Sequence, residues 1–542
     1  MKYLFKYVRQ EPLRVLLVVI LQVICSLFRV ANSIFNIFIL NSLVKFDFRA
    51  FVSYILLNIL LFVVMTVFLF LNLVEQAKVI QLLSLHVKQD IISHISKYSV
   101  EKFNEYDTSV YSSWLTNDMN LIEGNGFGNL FQSIQIITDP LFSIIALIKF
   151  HWTFVPLILL MTVLTIFLPQ LVRKQLATSN LSMTKANANV LDIINDCLRG
   201  FSTLSVFGVE YQLERRITAS MLKMIKVKVH QAKISTFATC IAQVSNIIAQ
   251  MLILLWTGLL IFRHMVTIGV FSSASNLSFN VFNSLAAAAP ILTELRSLDP
   301  VFEKYHLNEN TNTINNSNNV RVDKYAEISD PIDVDAKELQ VSYQDNKSVF
   351  AEPLTFSITA GEKVAICGDS GSGKSTLLRL ISGQLREYRG SLRLNKLEMQ
   401  KISYSAIRDK VIYVDQSPYL FNDTIRYNLE LGQKFTKKEL TAALEKSDLL
   451  DFVNQLPQKL DTSVGEGGTS LSGGQKQRLA LARGLLRKKE IFLFDESTSS
   501  LDKNSALKVE NDFLSQPDIT VLFVSHQIHS ENKNKFDQII YV

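Results

Sequence analysis

Residues 368–376 read GDSGSGKST and follow the apolar run KVAIC. The spacing fits G-x-x-x-x-G-K-S, a loop built to hold phosphate. Its glycines let backbone N–H groups converge on phosphate oxygens, and the helix that follows adds its positive N-terminal end. Gly368, Asp369, Ser370, Gly371, Ser372, Gly373 and Thr376 are therefore candidate loop contacts. Lys374 can reach the β- and γ-phosphates of ATP, and the Ser375 hydroxyl can hold Mg²⁺. A second run, IFLFDE at 491–496, is an apolar strand ending in two carboxylates. Ligands collect at that end of a buried parallel strand. Asp495 is the natural Mg²⁺ partner. Glu496, one residue on and pointing elsewhere, is the natural general base for a water attacking the γ-phosphate. A third motif, LSGGQKQR at 471–478, places Ser472, Gly473, Gly474 and Gln475 at another close-approach turn opening a helix. One nucleotide already has its own loop, so a second phosphate-binding turn points to a site shared between two copies.

The elements that must position these residues are legible from Leu339 onward. Short apolar strands (KVAIC, VIYV, IFLF, TVLFV) alternate with helical segments, the βαβ pattern of a largely parallel sheet. An α/β P-loop nucleotide-binding domain is expected over 336–542. Ahead of it, 306–335 is asparagine-rich, aperiodic and poor in large apolar residues, and reads as a linker.

The first 305 residues read differently. Six apolar segments are long enough to span a bilayer: about 13–43, 50–75, 126–149, 152–172, 234–262 and 265–292. An all-α six-helix membrane domain over 1–305 is expected, and a multi-domain membrane protein overall. The connections after the first, third and fifth segments are very short, whereas 76–125 and 173–233 are long, charged and helical in period. Basic residues beside the apolar segments (Lys2, Lys6, Arg9, Arg14, Arg173, Lys174) place the N-terminus and both long connections in the cytoplasm. The composition, 48% hydrophobic with a mean hydropathy of +0.21, is the average of two unlike halves. A net charge of +6 with no basic stripe on a polar face argues against a nucleic-acid partner. The first apolar segment continues to about Leu43 without a small-residue cleavage site, so it reads as a span and not a signal peptide. Cys25, Cys197, Cys240 and Cys367 are widely spaced and read as inert thiols without a disulfide framework or zinc site.

With these motifs in order, the chain resembles the ATP-binding cassette (ABC) family over essentially its whole length, and its exporter branch in particular. LSGGQ is similar to the family signature. The resemblance implies further roles: Tyr343 stacking on adenine, Gln416 in VDQSPYLF sensing Mg²⁺ and contacting the membrane domain, Asp502 in the loop that links two sites, and His526 in FVSH on the γ-phosphate. TSVGEGG at 462–468 resembles the exporter segment before the signature. KFNEYDTSVYSSWLTND at 102–118 matches an exporter pattern except at Ser109 and Trp114, where the family has glycine and arginine. GFSTLSVFGVE at 200–210 matches the corresponding stretch before the second cytoplasmic contact. Turns near 117–125 and 208–216 are then the expected coupling helices. The motif set is complete on both faces, Glu496 and His526 on one and LSGGQ on the other, which favours a homodimer, or a heterodimer with two live sites. Only 16 residues follow His526, where family members usually add a strand and a helix.

Inside the spans, polar residues recur on single helix faces. These are Arg29, Asn32 and Asn36 in the first, Gln243, Asn246 and Gln250 in the fifth, and Asn276, Asn280 and Asn283 in the sixth. They either bond helix to helix, at about 0.6 kcal/mol each, or line a polar substrate path. Arg29 and Asp139 are intramembrane charges of opposite sign whose depths differ by about 9 Å; Arg29 can face Asp139 or a substrate carboxylate. The expected activity is ATP-driven export by alternating access through the cell membrane, with ATP and Mg²⁺ as cofactors and membrane lipid around the spans. A peptide is the first expectation for cargo, processed by another protein since no cysteine-protease domain precedes the first span. A multidrug or lipid exporter is the alternative, and an ATP-gated channel or sensor is the alternative of another class.

Overall fold

The computed structural model describes residues 2–170, 172–305, 331–341, 348–415, 418–496, 503–524 and 531–542. The chain divides into two compact units, Met1–Ser96 with Asp107–Thr311 and Lys97–Tyr106 with Asn312–Val542.

The first unit is helical throughout. A short α1 (Lys2–Val8) leads to α2 (Pro12–Val44), α3 (Phe48–Ile95), α4 (Asn129–Phe150), α5 (Phe154–Gln170), α6 (Arg173–Arg199), α7 (Tyr211–Phe262) and α8 (Gly269–Ser297). Among the described residues, Pro12–Val44, Phe48–Ile95, Thr108–Phe150 and Tyr211–Phe262 are long and apolar enough to cross a membrane, and Phe154–Thr165 is a shorter apolar helix. The α8 helix is more polar, carrying Ser and Asn along its length. Turns between α2 and α3 and between α7 and α8 are closed by side chains. Asp47 accepts from the Ala50 N–H at 3.0 Å to cap α3. Asn41 Oδ1 accepts from the Gly269 N–H at 2.9 Å. Gly269 permits that approach: a Cβ there would stand 2.4 Å from the Ile37 carbonyl oxygen. Packing of α4, α5, α7 and α8 buries Leu147, Phe154, Ile253, Leu277 and Phe282 among small residues such as Ala249 and Ala274, as membrane helices require for close contact.

Near its linker end the first unit gathers an aromatic cluster. Tyr3 stacks on Phe302 at 5.2 Å, and Trp114 meets Tyr111 at 5.1 Å and Tyr305 at 5.4 Å. Trp114, standing where the resemblance expects arginine, is thus a buried core residue. The hydroxyls of Tyr7 and Tyr305 donate to Asp90 and Asp118, each at 3.1 Å. Burial first and then those carboxylates push both hydroxyls far above their usual range, so both stay donors. This packing corrects one expectation. The segment at 117–125 is no free coupling turn: Met119 and Ile122 are buried and Asp118 pairs with Lys304 inside the first unit. The stretch that groups with the nucleotide-binding unit is Lys97–Tyr106. At the second expected turn Val206, Phe207 and Tyr211 are exposed.

The second unit is α/β. Strands β1 (Val334–Gln340), β2 (Leu354–Ile358), β4 (Arg389–Leu394) and β5 (Leu397–Glu398) form an antiparallel sheet in the order β2-β1-β4-β5. Strands β3 (Lys363–Cys367), β6 (Val411–Val414), β7 (Ile491–Asp495), β8 (Thr520–Val524) and β9 (Gln538–Tyr541) form a parallel sheet in the order β6-β7-β8-β3-β9. The FDQIIYV segment therefore supplies the extra strand, β9 pairing with β3 from Val364 opposite Gln538 onward. Every residue of β7 and β8 is buried, as the continuous apolar runs require. Phe494 stacks on Phe523 at 4.5 Å across the two strands. A separate apolar cluster holds Leu420, Ile425, Leu429, Leu440, Leu444 and Leu479. Of the cysteines, Cys25 and Cys197 are buried, but Cys240 is exposed on α7.

Candidate functional site

The phosphate loop joins β3 to helix α9 (Lys374–Ile381). Gly373, with φ +105°, turns the chain into the helix; a Cβ there would lie 2.8 Å from Val349 and Phe350, so glycine is required on both counts. Lys374 is buried and its ammonium donates to the carbonyl oxygens of Gly368 and Asp369 at 2.8 and 2.7 Å. Asp369, Ser370 and Gly371 are exposed at the tip of the loop, and Thr376 is half-buried one residue beyond Ser375. The Ser372 Oγ atom is buried without a hydrogen-bond partner among the described residues. An orphaned hydroxyl in a glycine-rich loop at a helix start fits a phosphate oxygen as its partner.

Asp495 closes the site from β7. Its Oδ1 accepts from Ser375 Oγ at 2.9 Å and its Oδ2 from the Tyr413 hydroxyl at 2.7 Å. A hydroxyl beside a carboxylate is the hard-oxygen donor set that suits Mg²⁺. Both partners are neutral donors, so neither forms an ion pair with the carboxylate. Burial first, then the bond to Asp495, pushes the Tyr413 hydroxyl far up and keeps it protonated. Burial works against the charge of Arg379, but a bond with Tyr413 and the charges of Asp415 and Asp495 raise it overall. Glu496 is half-buried with φ +47°, a left-handed backbone that a glutamate adopts at a cost of about 1–3 kcal/mol.

The signature turn is built as a helix start. Ser472 caps helix α10 (Gly473–Leu486): its Oγ accepts from the Gln475 N–H at 3.3 Å, while Gln475 Oε1 accepts from the Ser472 N–H at 2.8 Å. Ser472 and Gly473 are exposed, Gly474 and Gln475 half-buried, so the positive end of α10 is presented outward. Further down the same helix Arg483 donates to the Tyr419 carbonyl at 2.7 Å and to Asn428 Oδ1 at 2.6 Å. Burial, with Arg487 alongside, lowers Arg483 to about 10, where it remains charged at neutral pH. Tyr343, Gln416, Asp502 and His526 lie outside the described residues. Motif reading missed Tyr413, Arg379 and Arg483. The one signal available was the position of VIYV, whose third residue sits on the strand beside β7.

In the membrane unit the expected polar residues divide. Arg29 forms an ion pair with Asp139, whose side chain is only 6% exposed. Gln135 Nε2 also donates to Asp139 at 3.2 Å. The bonds continue from Gln22 to Gln135 at 3.3 Å, from Asn72 to Gln22 at 2.7 Å, and between Ser26 and Thr138 at 2.9 Å. Arg29 is thereby committed to a clamp joining α2 to α4. Gln250 donates to Asn246 at 2.9 Å within α7. Gln243, Asn276 and Asn283 are exposed, Asn32, Asn36 and Asn280 are half-buried, and none of the six holds a side-chain hydrogen bond among the described residues.

Residues 15–285 match the family model of the ABC transporter transmembrane region, and residues 351–499 match the ABC transporter family model. The chain is 25% identical over 452 residues to the ATP-dependent lipid A-core flippase of Photobacterium profundum, spanning 82% of this chain and 76% of that protein. It is 26% identical over 437 residues to the multidrug resistance-like ATP-binding protein MdlA of Buchnera aphidicola, spanning 79% and 73%. Its fold superposes on a bacterial Atm1-family ABC exporter with ATP bound, with a TM-score of 0.82 and 21% identity over 99% of this chain and 93% of that one.

Proposed function

The chain belongs to the ABC transporter family as an ATPase coupled to transport through a membrane, and from that premise we propose that it exports an amphipathic, lipid-like substrate. Two copies act together, with the N-terminus and nucleotide-binding unit in the cytoplasm. The substrate assignment is carried by the similarity to relatives named for lipid and multidrug resistance, and an open apolar groove of about 560 Å³ between α2 and α3 is compatible with it. Ile39, Ile55, Ile59, Phe62, Val63 and Val67 line it, and the buried Asn58 Oδ1 lacks a partner among the described residues. A hydrocarbon chain fits such walls, whereas a peptide backbone needs many more polar partners than one amide. The amide stripes alone point to a peptide, but Gln250 and Asn246 of those stripes are already bonded to each other within α7. The names of the two relatives point to lipid and to multidrug resistance, and neither points to a peptide.

In this reading Lys374 and the loop around Ser372 hold the triphosphate, Tyr343 stacks on the base, and Ser375, Asp495 and Gln416 hold Mg²⁺, which when bound draws charge from the phosphates. Glu496 takes the proton of the attacking water, and His526 contacts the γ-phosphate. Ser472 to Gln475 of the second copy, with Asp502 beside the junction, close the site from the other side. Closure of the two nucleotide-binding units then drives the path, lined by the free amides of α2, α7 and α8, from inward to outward access.

Purified protein in liposomes tests the assignment. A diacyl lipid should stimulate ATP hydrolysis and cross the bilayer only with ATP present. Stimulation by peptides alone, with no ATP-dependent lipid movement, would overturn it.

A further inference from the structure

The six spans contain very few charges. Away from the terminal two residues of each, Arg29 and Asp139 are the only ionised side chains between 13–43, 50–75, 126–149, 152–172, 234–262 and 265–292. The structure pairs them with each other and adds Gln135 as a second donor to the carboxylate. No uncompensated cation therefore remains at membrane depth, and a second identical copy brings none. What remains unspent are the carboxamides of Asn32 and Asn36 on α2, Gln243 on α7, and Asn276, Asn280 and Asn283 on α8. A carboxamide offers two N–H donors and one carbonyl acceptor without charge. It matches hydroxyl and amide groups, which donate and accept in turn. An ionised phosphate or carboxylate taken out of water needs a paired cation, and its uncompensated burial costs several kcal/mol.

We infer that the substrate carries an uncharged head of hydroxyl or amide groups on a hydrocarbon body, and that heads bearing a net negative charge are selected against. The inference rests on the lipid-exporter reading and on these amides lining the path. Asp139 then sets selectivity indirectly, as a positioning residue, by neutralising and holding Arg29. Charge enters the path only when that pairing is undone.

The test uses full-length protein in liposomes and two fluorescent lipids with the same acyl chains, glucosyl-diacylglycerol and phosphatidylglycerol. The readout is the ATP-dependent rate at which each becomes protected from a membrane-impermeant quencher. The glucosyl lipid is expected to move about tenfold faster or more. Equal or faster movement of phosphatidylglycerol overturns the head-group inference and leaves the lipid-exporter reading standing. Movement of neither lipid, with ATP still hydrolysed, overturns both. Asp139→Asn, which frees the Arg29 charge, should raise the phosphatidylglycerol to glucosyl-lipid ratio severalfold, and Arg29→Gln with Asp139→Asn should return it to the wild-type value. An unchanged ratio in a folded Asp139→Asn protein overturns the role given to the pair. Because the wild-type comparison needs no variant, the head-group inference stays falsifiable if a substitution prevents folding.

Discussion

Asp495 in the nucleotide-binding unit and Asp139 in the membrane unit are buried to nearly the same degree, 5% and 4% exposed. Their partners differ in kind. Asp495 is held by two hydroxyls, Ser375 and Tyr413, which orient the carboxylate without a direct ion pair among the described residues, the Arg379 guanidinium acting on it only from a distance. Asp139 is held by a guanidinium, which cancels it. A buried carboxylate with only neutral donors is poised for a cation that arrives with the substrate. One with a built-in counter-charge has already spent its electrostatics on joining two helices. The contrast separates a site from a clamp more sharply than burial or residue type does.

Breaking the chemistry should give the largest effect. Glu496→Gln removes the proposed general base and keeps the shape, so ATP turnover should fall by roughly 10²–10⁴-fold while ATP binding persists. Steady-state hydrolysis beside nucleotide retention measures both, and near-wild-type turnover would remove Glu496 from its role.

The two carboxylates should then answer the same substitution to different degrees. Asp139→Asn leaves Arg29 without its counter-charge, at a cost of about 3 kcal/mol, the low end for a broken buried pair because the Arg29 side chain is 31% exposed. Arg29→Gln added to Asp139→Asn should recover most of that loss. Asp495→Asn removes a charge that has no direct ion-pair partner among the described residues, so thermal stability without Mg²⁺ should change less than for Asp139→Asn while hydrolysis is lost. Melting curves in detergent for the three variants decide this. A larger destabilisation from Asp495→Asn than from Asp139→Asn would invert the comparison.

Tyr413→Phe sharpens the site half of the contrast. It deletes the bond to Asp495 Oδ2, and a hydrogen bond to a charged group is worth about 1.5–3 kcal/mol. The carboxylate should lose its fixed orientation, and the Mg²⁺ concentration for half-maximal hydrolysis should rise by roughly tenfold. ATP affinity without Mg²⁺ should stay unchanged, a split that general loosening of the fold would not produce. An unaltered Mg²⁺ dependence would make Tyr413 a packing residue.

The same contrast explains what the chain reveals when read as letters. Gly373, Lys374 and Ser375 are consecutive, and the strand IFLFD brings Asp495 to them by parallel pairing alone, so a linear motif encodes a three-dimensional site. The clamp joins Arg29, Asp139, Gln22, Gln135 and Asn72 from three helices, and no spacing along the chain specifies which face of α2 meets which face of α4. The depth difference of about 9 Å left Arg29 free to face Asp139 or a substrate carboxylate, and the ion pair shows that the long arginine side chain spans the gap to Asp139. Tyr413 escaped notice because an apolar-looking VIYV strand hides the one hydroxyl whose neighbour is β7. Trp114 looked like a lost arginine and is a gained aromatic contact.

The smallest effect lies at the far end of the clamp. Asn72 Nδ2 donates to Gln22 Oε1 at 2.7 Å, three bonds removed from the ion pair, and its own Oδ1 is already without a partner among the described residues. Asn72→Leu removes one neutral interhelical bond, worth about 0.6 kcal/mol in a membrane setting, and also removes that unpaired oxygen. The two terms oppose, so the melting temperature should shift little in either direction. If the network acts as one polarised chain reaching Arg29, the loss would be severalfold larger and would depend on Asp139 being intact. A double-mutant cycle of Asn72→Leu with Asp139→Asn separates the cases: additivity makes the ion pair an isolated clamp with an amide fringe, whereas strong coupling makes all five side chains a single device.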